Sequence, residues 1–404
     1  MKINPWTLGL AAAGVVSLAS AVRAEEATES VKTLVSSTTL SGYVNTSVHW
    51  NPGNTAGVAN YALGGGKADR FSLDVVSLTI AKPLSEGEWA AGYQAKLWFG
   101  PDANGLGTAS PAGVNFQDFA VKNAYVLLRA PLGNGLDFKL GVFDTCIGYE
   151  TQDAGDNPNY TRSWGNTLEP TQHTGLMASY RFNDILSASV AVANTRNQQI
   201  NGVVTRTALG GGGQQQSMKT YIGTVTLTAP DSLGFLKGGT LNVGAVNGRS
   251  SGAAGSAGPD QTDIYVGATI PTPLAGVSVG ATWDHSNLDT LNDSDAIAGY
   301  ISWQATEKLK LNLRGDYIDD GGGLAGFSNG AGVVGGPVVA GLGRASAATS
   351  VEVISATVTL DYALWANVIS RLEYRWDHDT SGGRHFASAR NNANLLALNV
   401  IYKF

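Results

Sequence analysis

From Asn394 to Phe404 the chain alternates between two unlike faces and then ends on an aromatic. Leu396, Leu398, Val400, Tyr402 and Phe404 fall on one face. Ala397, Asn399, Ile401 and Lys403 fall on the other, where Ile401 is the one large apolar lapse. A period of two marks a β-strand with two different environments. No polar residue follows Phe404, so an apolar strand face carries the last aromatic. A strand in lipid accepts this, because its outer face needs apolar residues bounded by aromatics.

The other end of the sequence agrees. Lys2 gives a short positive start, Leu8 to Leu18 is an apolar run broken by small residues, and Val22 and Ala24 have the spacing of a signal-peptidase site. Residues 1–24 are therefore expected to be a cleaved signal peptide. The run is too short for a membrane helix and is followed by Arg23, Glu25 and Glu26.

The remaining residues, 25–404, are expected to form one all-β domain. The sequence has 52 Gly and 14% charged residues, without an apolar run long enough to span a membrane as a helix. Its formal net charge of −6 argues against a nucleic-acid partner, which needs a basic footprint. Cys146 is the single cysteine, so no internal disulfide can form. About sixteen strand-like segments have the length a tilted membrane strand needs. They begin with Leu40 to Trp50, Phe71 to Lys82, Trp89 to Phe99, Phe119 to Ala130 and Leu136 to Phe143. Gly175 to Phe182, Ile185 to Asn194, Lys219 to Thr228, Thr240 to Val246, Thr262 to Ile270 and Val277 to His285 follow. The rest are Ala296 to Gln304, Lys308 to Ile318, Val351 to Tyr362, Val368 to Asp377 and Asn394 to Phe404.

Short turns, such as Pro131 to Gly135 and Asn183-Asp184, alternate with long polar or Gly-rich links, such as Thr195 to Met218 and Asp319 to Ser350. That alternation fits a transmembrane antiparallel β-barrel with short periplasmic turns and long extracellular loops. Eighteen strands remain an alternative, with the extra pair in Glu25 to Thr39 or Gly321 to Thr349. Charge in hydrocarbon costs about 2–4 kcal/mol per Lys or Arg at the midplane, so the charged strand faces must line a wet lumen. On Val368 to Asp377, Arg371, Glu373, Arg375 and Asp377 oppose Leu372, Tyr374 and Trp376. One segment breaks the pattern: Phe71, Leu73 and Val75 have the opposite parity to Val76, Leu78 and Ile80, which a β-bulge would explain. Trp50, Trp89, Tyr180, Phe182, Trp283 and Tyr362 suit interfacial girdles.

The link from Asp144 to Thr174 carries Tyr149, Tyr160 and Trp164 among its polar residues. Its length marks it as functional, and its aromatics argue for packing. The stretches GVFDTCIGYE, NPNYTRSW and EPTQHTGLMASYRF resemble the OmpL-like putative β-barrel porin family. The resemblance extends over nearly all of the chain after the signal peptide. It implies a bacterial outer-membrane pore, a third long loop (144–174) folded into the lumen, and a carboxy-terminal strand read by the barrel assembly machinery. It also implies outer-membrane lipid, lipopolysaccharide and small hydrophilic solutes as partners, and allows a homotrimer.

The residues add a mechanism. The loop offers the acids Asp144, Glu150, Asp153, Asp156 and Glu169, with Arg162 as its only strong base. The near wall offers Lys96, Lys122, Lys139 and Arg181, and the far wall Lys310, Arg314, Arg371 and Arg375. Loop acids facing wall bases would set a transverse field at the narrowest point. The alternative is that these charges pair with each other and solvate the lumen. The expected function is passive diffusion of small hydrophilic solutes, without a cofactor. A non-conducting structural or adhesive barrel and a barrel enzyme are the competing readings.

Other motifs carry less. Gly248 to Gly252 matches G-x-S-x-G and Gly330 to Gly335 matches G-x-G-x-x-G, but each lacks the strand–helix context and is expected to be loop. The acidic stretch Asp284 to Asp295 could hold a divalent cation, but it lacks the EF-hand spacing and central glycine. The histidines, including His378 and His385 in one expected loop, lack metal-ligand spacing.

Overall fold

The computed structural model describes residues 31–32, 37–52, 67–106, 108, 118–205, 217–251, 257–289, 293–321, 350–384, 386 and 390–404. The expected signal peptide, the Gly330–Gly335 motif, Gly252 and His385 lie outside them.

Sixteen antiparallel strands close into a barrel. The first eight are Thr39–Trp50, Arg70–Lys82, Ala90–Phe99, Phe119–Ala130, Leu136–Asp144, Gln172–Arg181, Leu186–Ala193 and Thr220–Thr228. The second eight are Thr240–Ser251, Ala257–Pro271, Val277–Leu288, Ser294–Gln304, Leu309–Asp320, Val351–Tyr362, Val368–Asp379 and Asn392–Lys403. They are numbered in that order below. The other described strands, Val31–Lys32 and the pair Val204–Thr205 with Ser217–Met218, are two residues each.

Closure is made by the first and last strands, Tyr43 to Trp50 against Lys403 to Leu396. One further residue extends the seam. Phe404 donates its N–H to the Gly42 carbonyl at 3.0 Å, and Gly42 donates back at 2.9 Å. A Cβ on Gly42 would lie 2.2 Å from the Ser77 carbonyl oxygen of the second strand and 2.8 Å from the Phe404 ring, so glycine is needed where the backbone approaches this closely beside the terminal aromatic.

Alternation sorts the two faces. Leu372, Tyr374, Leu398, Val400 and Tyr402 are exposed outward, while Arg371, Glu373, Arg375, Asp377 and Asn399 are buried inward. Trp50, Trp89, Phe182 and Tyr362 stand exposed at strand ends, whereas Trp283 is exposed in the middle of its strand, Val277–Leu288. The lapse at Ile401 points inward and is fully buried with Tyr43, Trp98 and Ala154.

The parity break in the second strand is a bulge. Asn45 pairs with Val75 and Thr46 with Leu73, which leaves Asp74 as the extra residue. A second bulge, without a parity signal in the sequence, leaves Lys122 unpaired between Asn123–Lys96 and Val121–Leu97. Each bulge turns a charged side chain inward, where Asp74 and Lys122 are almost fully buried.

Strand ends differ from the expectation mainly on the long-loop side. The ninth strand runs on to Ser251, so Gly248 to Ser251 is strand and not loop. Its inward residues there, Gly248 and Ser250, are small and buried, and outward Arg249 reaches Asp260 at 3.5 Å. His378 is also strand, stacked on Trp376. Asp284 faces inward on the eleventh strand while Asp295 reaches His285 at 3.1 Å, so the acidic stretch is split between two faces. No group of three metal-ligating side chains occurs among the described residues.

Removing Phe404, or replacing it with Asp, is expected to lower the amount of folded barrel in the outer membrane. Semi-native electrophoresis of membrane fractions checks this, and Gly42→Val should show the same loss from the other side of the seam.

Candidate functional site

The segment between the fifth and sixth strands is bound to the inner face of strands far from it in sequence. Its backbone is gripped by arginines. Arg314 donates to the Thr161 carbonyl at 2.7 Å. Arg371 donates to the carbonyls of Ala154 and Asn157, each at 2.7 Å. Arg375 donates to the Arg162 carbonyl, and Arg196 reaches the Leu168 carbonyl at 2.6 Å. The loop's N–H groups are met by carboxylates. Glu373 accepts from Tyr160 at 2.5 Å and Thr161 at 2.9 Å, and Asp316 accepts from Trp164 at 3.0 Å. A segment with only two single-turn 3₁₀ helices, Ala154–Asp156 and Gly165–Thr167, must find such partners when buried.

The wall arginines are themselves neutralised. Arg314 lies 3.0 Å from both Glu150 and Asp316, Arg371 lies 2.8 Å from Asp361, and Arg375 lies 2.8 Å from Asp377. Arg375 also sits over the Trp164 ring at 5.2 Å, while the indole N–H donates to Ser355 and Asp377. The side chains of these three arginines are 0–3% exposed. The three far-wall arginines are thus anchors of the loop, with almost no surface facing water. Removing one partner of such a buried pair typically costs about 3–5 kcal/mol.

The near wall meets the turn Asp153 to Asp156. Asp153 accepts from Tyr43 and Lys96, both at 3.0 Å, with Lys122 at 4.0 Å. Burial pushes the Asp153 carboxyl up, but Lys96 and Lys122 overcome this and hold it down at about 2. Lys122 also binds Asp144, whose other partner is Gln172 at 3.1 Å. Asp156 lies 3.3 Å from Lys403. Arg162 turns back onto its own loop, donating to the carbonyls of Thr151, Tyr160 and Gln152.

Three of the sequence-selected residues stand apart. Arg181 is at the short turn after the sixth strand, paired with Asp184 at 2.6 Å. Lys139 lies 4.7 Å over the Tyr125 ring, and Lys310 is half-buried in register with Asp361. The expected wall set of Lys96, Lys122, Lys139 and Arg181 is therefore divided. Lys96 and Lys122 meet the loop acids, while Arg181 belongs to the rim, because strand parity specifies a face and leaves height undetermined.

Apolar packing closes around the loop in three places. Tyr160, Trp164 and Leu168 join Ile318, Val353, Phe386 and Leu395. Cys146 and Ile147 join Phe143, Met177, Ile222 and Tyr265. Ala154 joins Trp98, Leu106 and Ile401. Burial raises the Cys146 thiol to about 11, which leaves it an inert core residue. Tyr160 adds a polar tie, its hydroxyl 2.7 Å from His49 and 3.1 Å from Ser47, whose own hydroxyl donates to Asp74. Ser47, His49 and Asp74 are close together, but His49 faces the Tyr160 hydroxyl and Ser47 is turned to the carboxylate. That is a hydrogen-bond tie without a base aimed at a nucleophile.

Glu169 behaves differently from the other loop acids. It is half-buried, and burial followed by the nearby Asp284 carboxyl raises its pKa well above the ordinary 4.5. The Glu169 carboxyl interacts with that of Asp284 on the barrel wall. A raised carboxyl contributes its stability fully below pH 4.5, and that contribution is lost as pH rises through the folded-state value. The Asp153 anchor has the opposite sense, present above its ordinary 3.8 and lost as pH falls through about 2.

Residues that the sequence reading left unassigned complete the site: Tyr43, Asp74, Arg196, Glu373, Asp316 and Lys403. Glu373 and Lys403 were visible as charged members of an inward face. Asp74 was visible as the residue at the parity break.

A family model described as "Putative beta-barrel porin-2, OmpL-like" matches residues 37–404. No curated protein matches the sequence. Among solved structures, an anion-selective porin from Comamonas acidovorans is similar at 12% identity and a TM-score of 0.56, covering 91% of this chain and 99% of that one. In-vitro folded OmpT of Vibrio cholerae matches at 12% identity and a TM-score of 0.55, covering 93% and 100%. Salmonella typhi OmpF in complex with daunomycin matches at 12% identity and 0.56, covering 91% and 97%. At these identities the likeness concerns the fold.

Two outcomes are expected for the loop. Arg375→Met should expose residues 145–171 to protease within an otherwise folded barrel, seen as a defined internal cut. Proteinase K nicking of the wild-type loop should increase from pH 6 to pH 9, and Glu169→Gln should flatten that increase.

Proposed function

This chain belongs to the OmpL-like putative β-barrel porin-2 family, and from that premise we propose that it is a passive diffusion channel of the bacterial outer membrane for small hydrophilic solutes. The observation that carries the reading is a closed sixteen-strand barrel whose charged inner face is crossed by the 145–171 loop. The loop narrows the lumen, and solutes pass beside it. Export through a cleaved signal peptide, insertion by the barrel assembly machinery and contact with lipopolysaccharide belong to the same reading. So does assembly as a homotrimer, supported by a similar structure titled as a trimer form of OmpT from Vibrio cholerae.

Selectivity follows from which charges stay accessible. The anchoring arginines are withdrawn from water and cancelled by carboxylates. Lys96 and Lys403 on the wall face Asp153 and Asp156 on the loop, which leaves little net field. A weak ion preference and free passage of neutral solutes such as sugars are the consequence. A second reading, a plugged structural barrel, is favoured by the loop's contact with three separate arcs of the wall.

Planar-bilayer recording separates the two. Stepwise conductance with a reversal potential near zero in a salt gradient supports the channel. Insertion without conductance supports the plug. In the conducting protein, Lys96→Gln is expected to shift selectivity toward cations and Arg181→Gln to leave it unchanged. The Lys96 shift should shrink at higher salt, because exposed charges are screened beyond roughly 10 Å at 0.1 M.

A further inference from the structure

We propose that Lys403, the penultimate residue, is a solute-facing cation of the passage that attracts small anions such as carboxylates, with Asp156 as its internal counter-charge. This rests on the diffusion-channel reading and names a selectivity residue within it.

The geometry separates this pair from the other loop contacts. Lys403 Nζ lies 3.3 Å from Asp156 Oδ1 and 3.3 Å from the Gly155 carbonyl. The two side chains are 29% and 36% exposed, against 0% and 1% for Arg314 and Glu150. An ion pair in water is worth only about 0–1 kcal/mol, so it opens readily. A buried pair does not, because separation would leave charge without solvent. Lys403 is thus a wall cation that can exchange its carboxylate partner for one arriving with a solute.

Its stem is positioned. Ile401, on the same inward face, is fully buried against Ala154 of the loop turn. The end of the lysine side chain lies against the turn at Gly155, where a Cβ would be 2.6 Å from Lys403 Cε. The neighbouring acid, Asp153, is engaged by Lys96, Lys122 and the hydroxyl of Tyr43, which is the register partner of Lys403. The ammonium therefore stands where the last strand meets the loop, beside a carboxylate pinned by other groups and a second one that is partly solvated.

The test uses the full-length barrel in planar bilayers with a KCl gradient. Lys403→Gln should lower the chloride-to-potassium permeability ratio by about twofold, the effect of one screened charge near 10 Å. Asp156→Asn should raise it by about twofold on the same basis. Both shifts should fade at 1 M salt, where screening acts within roughly 3 Å. Lys403 adjoins the terminal Phe404, so if Lys403→Gln fails to insert, Asp156→Asn on the loop decides the matter. A conducting wild type whose reversal potential is unmoved by Asp156→Asn overturns this inference and leaves the channel reading intact. A wild type that inserts without conducting overturns the channel reading and this inference with it.

Discussion

The structure depends on arginines that satisfy a loop's backbone from the barrel wall. Buried peptide groups need partners, and strands normally supply them to each other. The 145–171 segment crosses away from its neighbours, so side chains do this instead. Arg371 spans two carbonyls, Ala154 and Asn157, with two of its nitrogens while a third binds Asp361. That use of a planar fork is open to arginine and closed to lysine. The carboxylates Glu373 and Asp316 supply the acceptors for the loop's N–H groups. Each of these wall charges is therefore a hydrogen-bond partner of the loop backbone as well as a member of the inward strand face.

The bulges connect strand chemistry to this docking. Asp74 and Lys122 each occupy an extra position that frees a side chain from the regular inward spacing. Asp74 reaches Ser47, Lys67 and the Tyr160 hydroxyl, and Lys122 reaches Asp144 and Asp153. Bulges re-aim side chains in this way near functional regions. Here both are on the arc that meets the loop's Asp153–Tyr160 stretch.

The fold was legible because a membrane strand must show a period of two. Every barrel strand was visible from that pattern, and the Asp74 bulge from its interruption. Strand ends were less legible, since the ninth strand continues through Gly248 to Ser251, whose composition reads as loop. The Lys122 bulge left no trace because Lys122 and Asn123 are both polar. For the site, the segment and its charged partners were legible, but their pairing was not. Arg314 with Glu150 and Arg371 with Asn157 are more than 150 residues apart, and nothing local encodes height along the barrel. Arg181 shows the same limit, having the right face and the wrong level.

Pairing also changes what a lumen charge means. A census of inward Lys and Arg suggests a basic wall, yet a base with 0% side-chain exposure, such as Arg375, offers a passing ion almost no contact. Its field is largely cancelled by Asp377 at 2.8 Å before it reaches the water. In the proposed channel the charges open to a passing solute would be those left partly solvated, such as Lys403 and Asp156. In this barrel that places Lys403 and Asp156 ahead of the arginines, although the arginines dominate the sequence pattern. In the proposed channel the anchors would fix where the loop lies, and the partly solvated pair beside them would bias what passes.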